Sequence, residues 1–367
     1  MSEKKKIQKA ILIDLIDPRM NKYEAMDRMT ELEELVHTYG GIVIVKTWQK
    51  RFHPHPKTYI GTGKVTMVGE EAKEFGANIL IVNAQLKPRQ IYELSELLRP
   101  YGLQVWDRID LILKIFAKHA RTTEAKLEIE LASVRHMGPR IFGMGMELSR
   151  QGGGIGSVGI GETNSERMKR HLKEKERKIK DKLSSYQKGR DLARSGRARK
   201  GLKTVSIVGY TNAGKTTLLN ALTGRKEYAA NELFATLDTR VGELFLPGRR
   251  STALISDTIG FIKDLPPELL NAFSSTLSEA MDADLLVHVV DGSDQNWERN
   301  IQVVDEILKR LGGGETPRIL VFNKEDKTSD SLKKMITKIY ENDPVLWISA
   351  VEKEGLKELV EKIENSL

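Results

Sequence analysis

Eight residues, Gly209-Tyr210-Thr211-Asn212-Ala213-Gly214-Lys215-Thr216, constrain this chain more than any others, because the apolar run Val205, Ile207, Val208 precedes them and a helical stretch from Thr217 to Leu222 follows. Strand, glycine-bearing loop and helix in that order predict an α/β sheet with an anion cradle at its edge. Two glycines let the backbone close around a phosphate, and the N–H groups at the helix start supply partial positive charge. Lys215 can reach the outer phosphates, and the Thr216 hydroxyl can ligate Mg²⁺. A plain glycine-rich turn would not need all of these parts together.

Three later segments narrow the nucleotide. Asp257-Thr258-Ile259-Gly260 closes the strand-like run Ala253 to Ser256; its aspartate can hold Mg²⁺ through water and the Gly260 N–H can meet a γ-phosphate. The run Ile319 to Phe322 delivers Asn323-Lys324-Glu325-Asp326. The Asp326 carboxylate can accept two hydrogen bonds from the ring N–H and the exocyclic amine of guanine, and adenine lacks that donor pair, so a site built this way rejects ATP. Asn323 is expected to tie this loop to the phosphate loop, and the Lys324 stem to lie on the base. Val345 to Ile348 leads into Ser349-Ala350, whose backbone can meet the guanine carbonyl. Each segment alone is weak; their order, each at the end of a strand, points to GTP. Completing the Mg²⁺ shell needs a further mobile threonine between Lys215 and Asp257. Phe234-Ala235-Thr236-Leu237-Asp238 supplies one and Thr239 follows it, and spacing does not choose between Thr236 and Thr239.

Phe234 to Asp238, Asp257 to Phe261 and Asn323 to Asp326 in this order resemble the HflX family of translational GTPases. The likeness continues upstream through Tyr59-Ile60-Gly61-Thr62-Gly63-Lys64-Val65, Asp107-Arg108-Ile109-Asp110, Ala120-Arg121-Thr122 and Gln151-Gly152-Gly153-Gly154-Ile155-Gly156, and covers nearly the whole chain. It favours Thr236 over Thr239. Lys215, Thr236 and Gly260 are then the residues expected to act on the γ-phosphate, with Thr216, Thr236 and, through water, Asp257 around Mg²⁺. The family further implies binding to ribosomal RNA of the large subunit and a part in recycling, splitting or rescue of ribosomes under stress.

Ras-like enzymes place a glutamine after Asp-x-x-Gly to orient the attacking water, but this chain has Phe261 there, which offers no hydrogen bond. Slow intrinsic hydrolysis stimulated by a partner is expected.

At 367 residues the chain has room for two or three domains, and it has no cysteine for a disulfide or a Cys-based metal site. No apolar stretch of about 18 residues appears, and the start Met1-Ser2-Glu3-Lys4-Lys5-Lys6 lacks the apolar core of a signal peptide, so a cytoplasmic protein is expected; a monomer is expected as well. Residues 1–104 alternate strand-like runs (Ala10 to Ile16, Gly41 to Val45, Asn78 to Val82, Leu103 to Trp106) with helical ones, the pattern of a small α/β unit with a largely parallel sheet. Its Gly61-Thr62-Gly63-Lys64-Val65 is a broken phosphate loop, with Thr58 at the first glycine position and Val65 where a hydroxyl would be needed. His53 and His55 flank Pro54 without a ligating partner nearby, which reads as a loop.

Residues 105–200 carry two apolar stripes, Ile109 to Val134 and Met168 to Tyr186, stepping by three, four or seven, which predict a long antiparallel helical hairpin around a glycine-rich loop at 138–161. Charge is concentrated here: from Glu162 to Lys200 there are 15 Lys and Arg against 6 Asp and Glu, a net of +9 where the whole chain carries +8. Mixed i,i+4 pairs are compatible with a merely solvated helix. The tail is not so balanced, however, which makes Lys188, Arg190, Arg194, Arg197 and Arg199, with Gly152, Gly153 and Gly154 of the loop, the candidate RNA contacts. Residues 201–367 have the size of a doubly wound GTPase domain. A GTPase serving another RNA or a protein through its N-terminal domain is the competing reading.

Overall fold

A computed structural model describes residues 7–151, 158–199, 201–224, 233–234, 240–263, 269, 281–341 and 345–367. The α/β expectation holds in both halves. By compactness the residues form two units, Met1–Lys118 with Ile129–Asp181, and His119–Glu128 with Lys182–Leu367.

In the first unit, strands β1 (Lys9–Ile16), β2 (Ile42–Lys50), β3 (Ile79–Val82) and β4 (Gln104–Asp107) stand in the order β2-β1-β3-β4, every pair parallel. Helices α1 (Lys22–Tyr39), α2 (Thr62–Phe75) and α3 (Pro88–Leu98) make the crossovers. Local chemistry sets their ends: the Asn21 side chain accepts the Glu24 N–H at the start of α1, and Gly40 stops it at φ 90. Ile11, Ile13, Leu80 and Val82 of the sheet bury against Val65, Val68, Leu94 and Leu98 of α2 and α3. Strand β2 outruns its expected end at Val45 and continues to Lys50.

The first stripe of the expected hairpin is not one helix. It divides into α4 (Arg108–His119) and α5 (Thr123–Gln151), because the Thr122 hydroxyl accepts the Ala125 N–H and caps a new start. Nor is the interval 138–161 a loop throughout. Helix α5 runs on to Gln151 with Pro139 inside it, and α6 spans Val158–Arg199; Gly152, Gly153 and Gly154 lie outside the described residues.

An ion cluster anchors the turn of α5 that carries Pro139. Arg140, on the helix, reaches Asp107 at the end of β4 with Nη2 and Asp110 on α4 with Nη1, the latter at 2.7 Å. His136, one turn earlier, lies 3.3 Å from a carboxylate oxygen of each. Asp107 also accepts the Leu86 and Asp110 N–H groups at 3.1 and 2.8 Å. Burial alone would raise the Asp110 carboxyl, but hydrogen bonds from His136 and the charge and hydrogen bonds of Arg140 outweigh it and hold it well below the usual range. Burial would lower His136, yet its bonds to Asp107 and Asp110 raise it.

The signs fix a pH window. A depressed carboxyl stabilises above its unfolded pKa of about 4, and that contribution is lost as pH falls; a raised imidazole stabilises below about 6.5 and is lost as pH rises through its folded value. The clasp is therefore strongest between roughly pH 4 and 6.5. Arg140→Met leaves two buried carboxylates underpaired and should cost about 3 kcal/mol or more. Amide hydrogen exchange at Leu86 and Asp110 should accelerate accordingly; unchanged protection would mean the cluster holds nothing.

In the second unit, β5 (Thr204–Gly209), β6 (Arg240–Leu246), β7 (Ser251–Asp257), β8 (Leu285–Asp291), β9 (Arg318–Asn323) and β10 (Leu346–Trp347) form a sheet ordered β10-β9-β8-β5-β7-β6. All pairs are parallel except β6 with β7. The helices α7 (Lys215–Thr223), α8 (Trp297–Arg310), α9 (Asp330–Ile339) and α10 (Leu356–Ser366) pack on its faces. Leu218, Leu219, Leu359 and Ile363 cover Val205, Ile207, Val287 and Val321 on one side, and Trp297, Ile301 and Ile336 cover Val290 and Phe322 on the other. Strand order reverses between β5 and β8, which puts the crevice for a ligand at the end of β5, where Gly209 stands.

Candidate nucleotide-binding site

The loop from Gly209 to Thr216 has the shape its sequence predicts. Gly209 holds φ 156 and Gly214 φ 93, with Asn212 also left-handed at φ 62. A Cβ on Gly209 would run into the Val289 carbonyl oxygen of β8, and one on Gly214 into Asn323 Nδ2. Glycine is needed at both places because neighbouring main chain and side chain fill the space. Thr217 continues α7 from the cradle, and Ala213 is buried behind it.

Lys215 is buried, its ammonium donating to the carbonyls of Gly209 at 3.1 Å and Tyr210 at 2.8 Å. Burial pulls its pKa down to about 8; Asp257 opposes this and Lys324 adds to it. The Thr216 hydroxyl donates to Asp257 Oδ2 at 2.6 Å, which joins the head of α7 to the tail of β7. Two hard oxygens at that separation, beside a phosphate cradle, fit what Mg²⁺ requires of a protein.

The segment after Asp257 is tied to β5 and to the loop that follows it. Thr258 Oγ1 donates to the Ile207 carbonyl at 2.8 Å, and Ile259 is buried. Gly260 lies so close that an added Cβ would sit 2.7 Å from Thr211 Cγ2 and 3.1 Å from Lys215 Nζ. Phe261 forms a parallel bridge with Tyr210 and is fully buried. The residue at the position of the water-orienting glutamine is thus a core side chain.

The base-reading segments converge through one amide. Asn323 Nδ2 donates to the Ala213 carbonyl at 2.8 Å, and its Oδ1 accepts the Ala350 N–H at 3.0 Å, so a single side chain links the phosphate loop, the end of β9 and the Ser349-Ala350 turn. Lys324 takes φ 64, and its ammonium is held 2.6 Å from Asp291 Oδ2 at the end of β8, leaving the stem to lie along the site. Asp326 is exposed, with one carboxylate oxygen accepting the Ser349 hydroxyl at 2.7 Å. Asp291 was not singled out from sequence, although an aspartate closing the apolar run Leu285 to Val290 has the same pattern as Asp257.

Phe234 is buried at φ 58, while Ala235, Thr236, Leu237, Asp238 and Thr239 lie outside the described residues. Lys188 and Arg199 are exposed on α6. Arg190 is half-buried and forms an ion pair with Glu124, so part of its charge is spent within the fold and not on a solvent-facing footprint. The side chains of Arg194 and Arg197 are outside the described set. Among the described residues no helix is long and apolar enough to cross a membrane.

A phosphate loop, an Asp-x-x-Gly turn locked to it and an Asn-Lys-x-Asp loop tethered by Asn323 define a P-loop GTPase. Comparison with known proteins agrees in all three parts of the chain. Residues 26–117 match the family described as GTP-binding GTPase N-terminal, 119–197 the GTP-binding GTPase Middle Region, and 204–324 the 50S ribosome-binding GTPase family. GTPase HflX of Caldanaerobacter subterraneus subsp. tengcongensis is 42% identical over 360 residues, covering 98% of this chain and 81% of that protein. GTPase HflX of Escherichia coli is 38% identical over 343 residues, covering 93% and 79%. This chain belongs to the HflX GTPase family. A solved structure, the SsGBP and GDP complex, aligns over 98% of both chains with a TM-score of 0.54 and 27% identity.

Proposed function

We propose that this chain is a guanine-nucleotide switch that binds GTP with Mg²⁺ between the 209–216 loop and the Asn323–Asp326 and Ser349–Ala350 segments, hydrolyses it slowly, and associates with the large ribosomal subunit in its GTP form. The observation that carries the reading is Asn323, which spans Ala213 and Ala350 and so sets the phosphate and base ends of one site at a fixed distance. Lys215 and the loop N–H groups hold the phosphates, Asp326 reads the base, and the Gly260 N–H meets the γ-phosphate. When bound, Mg²⁺ would neutralise charge on the phosphate oxygens; Thr216, Thr236 and, through water, Asp257 are the residues that would hold it.

With Phe261 buried, no side chain at that position orients water, and a partner surface supplies the alignment. The ribosomal assignment rests on the family's 50S ribosome-binding description and on the exposed cations of α6, with recycling or rescue under stress as the role. Cosedimentation with separated ribosomal subunits decides it. Retention on the large subunit with a non-hydrolysable GTP analogue and release with GDP is expected. Equal retention in both nucleotide states, or none, would transfer the switch to another RNA or to a protein reached through the N-terminal domain.

A further inference from the structure

With Phe261 buried in the core, the main chain after Gly260 is fixed by the phosphate loop itself. Three hydrogen bonds zip Gly209, Tyr210 and Thr211 to Phe261 and Lys263. The Phe261 N–H donates to the Gly209 carbonyl at 3.2 Å, the Thr211 N–H donates to the Phe261 carbonyl at 2.8 Å, and the Lys263 N–H donates to the Tyr210 phenolic oxygen at 2.9 Å. The first two use only backbone and would form with any residue at 210. The third depends on a side chain, and on a phenol long enough to reach past Phe261. The Tyr210 carbonyl meanwhile accepts the Lys215 ammonium. One residue therefore touches the phosphate-binding lysine with its main chain and the segment following Asp-x-x-Gly with its side chain.

We propose that Tyr210 is a positioning residue for GTP hydrolysis, its hydroxyl holding the Gly260–Lys263 main chain in register with the phosphate loop so that the Gly260 N–H is aimed at the γ-phosphate. The inference rests on the nucleotide site proposed above. Its physical content is that a side chain of the phosphate loop, and not the buried Phe261, restrains the main chain that follows Asp-x-x-Gly, while the attacking water is left to a partner. A diphosphate ends before the position that Gly260 addresses, so the bond matters to the triphosphate alone.

Tyr210→Phe keeps the ring and removes only the acceptor oxygen. Affinity for GDP should change less than twofold. Affinity for a non-hydrolysable GTP analogue should fall about five- to tenfold, the worth of one partly buried hydrogen bond, and the single-turnover rate at saturating GTP should fall by a similar factor. An equal loss for GDP and the analogue would make the hydroxyl a general prop of the loop and overturn the proposal, as would no change in either affinity or rate. Failure of the unaltered chain to take up any guanine nucleotide would instead refute the site itself, and the thermal midpoint of the variant checks that its fold is intact.

Discussion

Lys215→Ala should raise the dissociation constant for GTP by a factor on the order of 10³, because two or more charge-assisted hydrogen bonds to phosphate are lost at about 1.5–3 kcal/mol each. The fold should survive, since the ammonium that is removed donates to two backbone carbonyls, those of Gly209 and Tyr210. A second signature accompanies the first. Burial holds the Lys215 pKa at about 8, so the free protein loses that charge as pH rises through the ordinary laboratory range. A triphosphate brought beside it favours the charged form and raises the pKa. Binding above pH 8 must then take up a proton, and affinity should fall as pH climbs from about 8 toward 10, by up to tenfold per unit. Calorimetry in two buffers of different ionisation enthalpy reads the proton directly. In the alanine variant both the proton uptake and the pH slope should vanish; a variant that still binds GTP tightly would mean the loop has been misassigned, and a flat profile in the parent chain would mean that burial does not lower the Lys215 pKa.

How much of this was legible in the sequence depended on how local the cause was. The phosphate loop, the Asp257 turn and the Asn323 loop could be placed because each joins a short apolar strand to residues whose backbone or side chain has few alternatives, as with Gly209 and Gly214. The helical middle was harder because the apolar stripe from Ile109 to Val134 keeps its step across the break between α4 and α5. The signal that was present, Thr122 followed by Thr123 and Glu124, is a capping pattern outweighed in that reading by periodicity.

The extension of α5 past Pro139 was not local at all. Arg140 is anchored by Asp107 and Asp110 from another stretch of chain, and that contact holds the turn beside Pro139 in helix. Strand β6 could have been found, since Val241, Glu243 and Phe245 face out while Leu244 and Leu246 are buried, an alternation of period two. The Tyr210 hydroxyl contact with Lys263 could not, because nothing in the spacing of a loop tyrosine says which backbone amide it will meet.

Asp326→Asn should lower GTP affinity roughly 10²- to 10⁴-fold, the loss of two hydrogen bonds to a charged acceptor, while leaving the weak affinity for ATP almost unchanged. The neighbouring serine makes the direction firm. Ser349 Oγ already accepts the Glu352 N–H at 3.1 Å, so its proton is committed to Asp326 Oδ1 at 2.7 Å. An asparagine in that place keeps the serine satisfied only by turning its carbonyl oxygen toward Ser349. Its amide group then faces the base, and the two N–H donors of guanine meet a donor in place of an acceptor. Discrimination between GTP and ATP should collapse toward unity, and a xanthine nucleotide, which carries a carbonyl where guanine has its amine, should gain. Because Asp326 is exposed and an asparagine can keep its one side-chain bond to Ser349, stability should shift by less than about 1 kcal/mol, so the change is readable as recognition and not as unfolding. Competition binding with the three nucleotides measures the ratios; discrimination preserved in the asparagine variant would show that some other group reads the guanine edge.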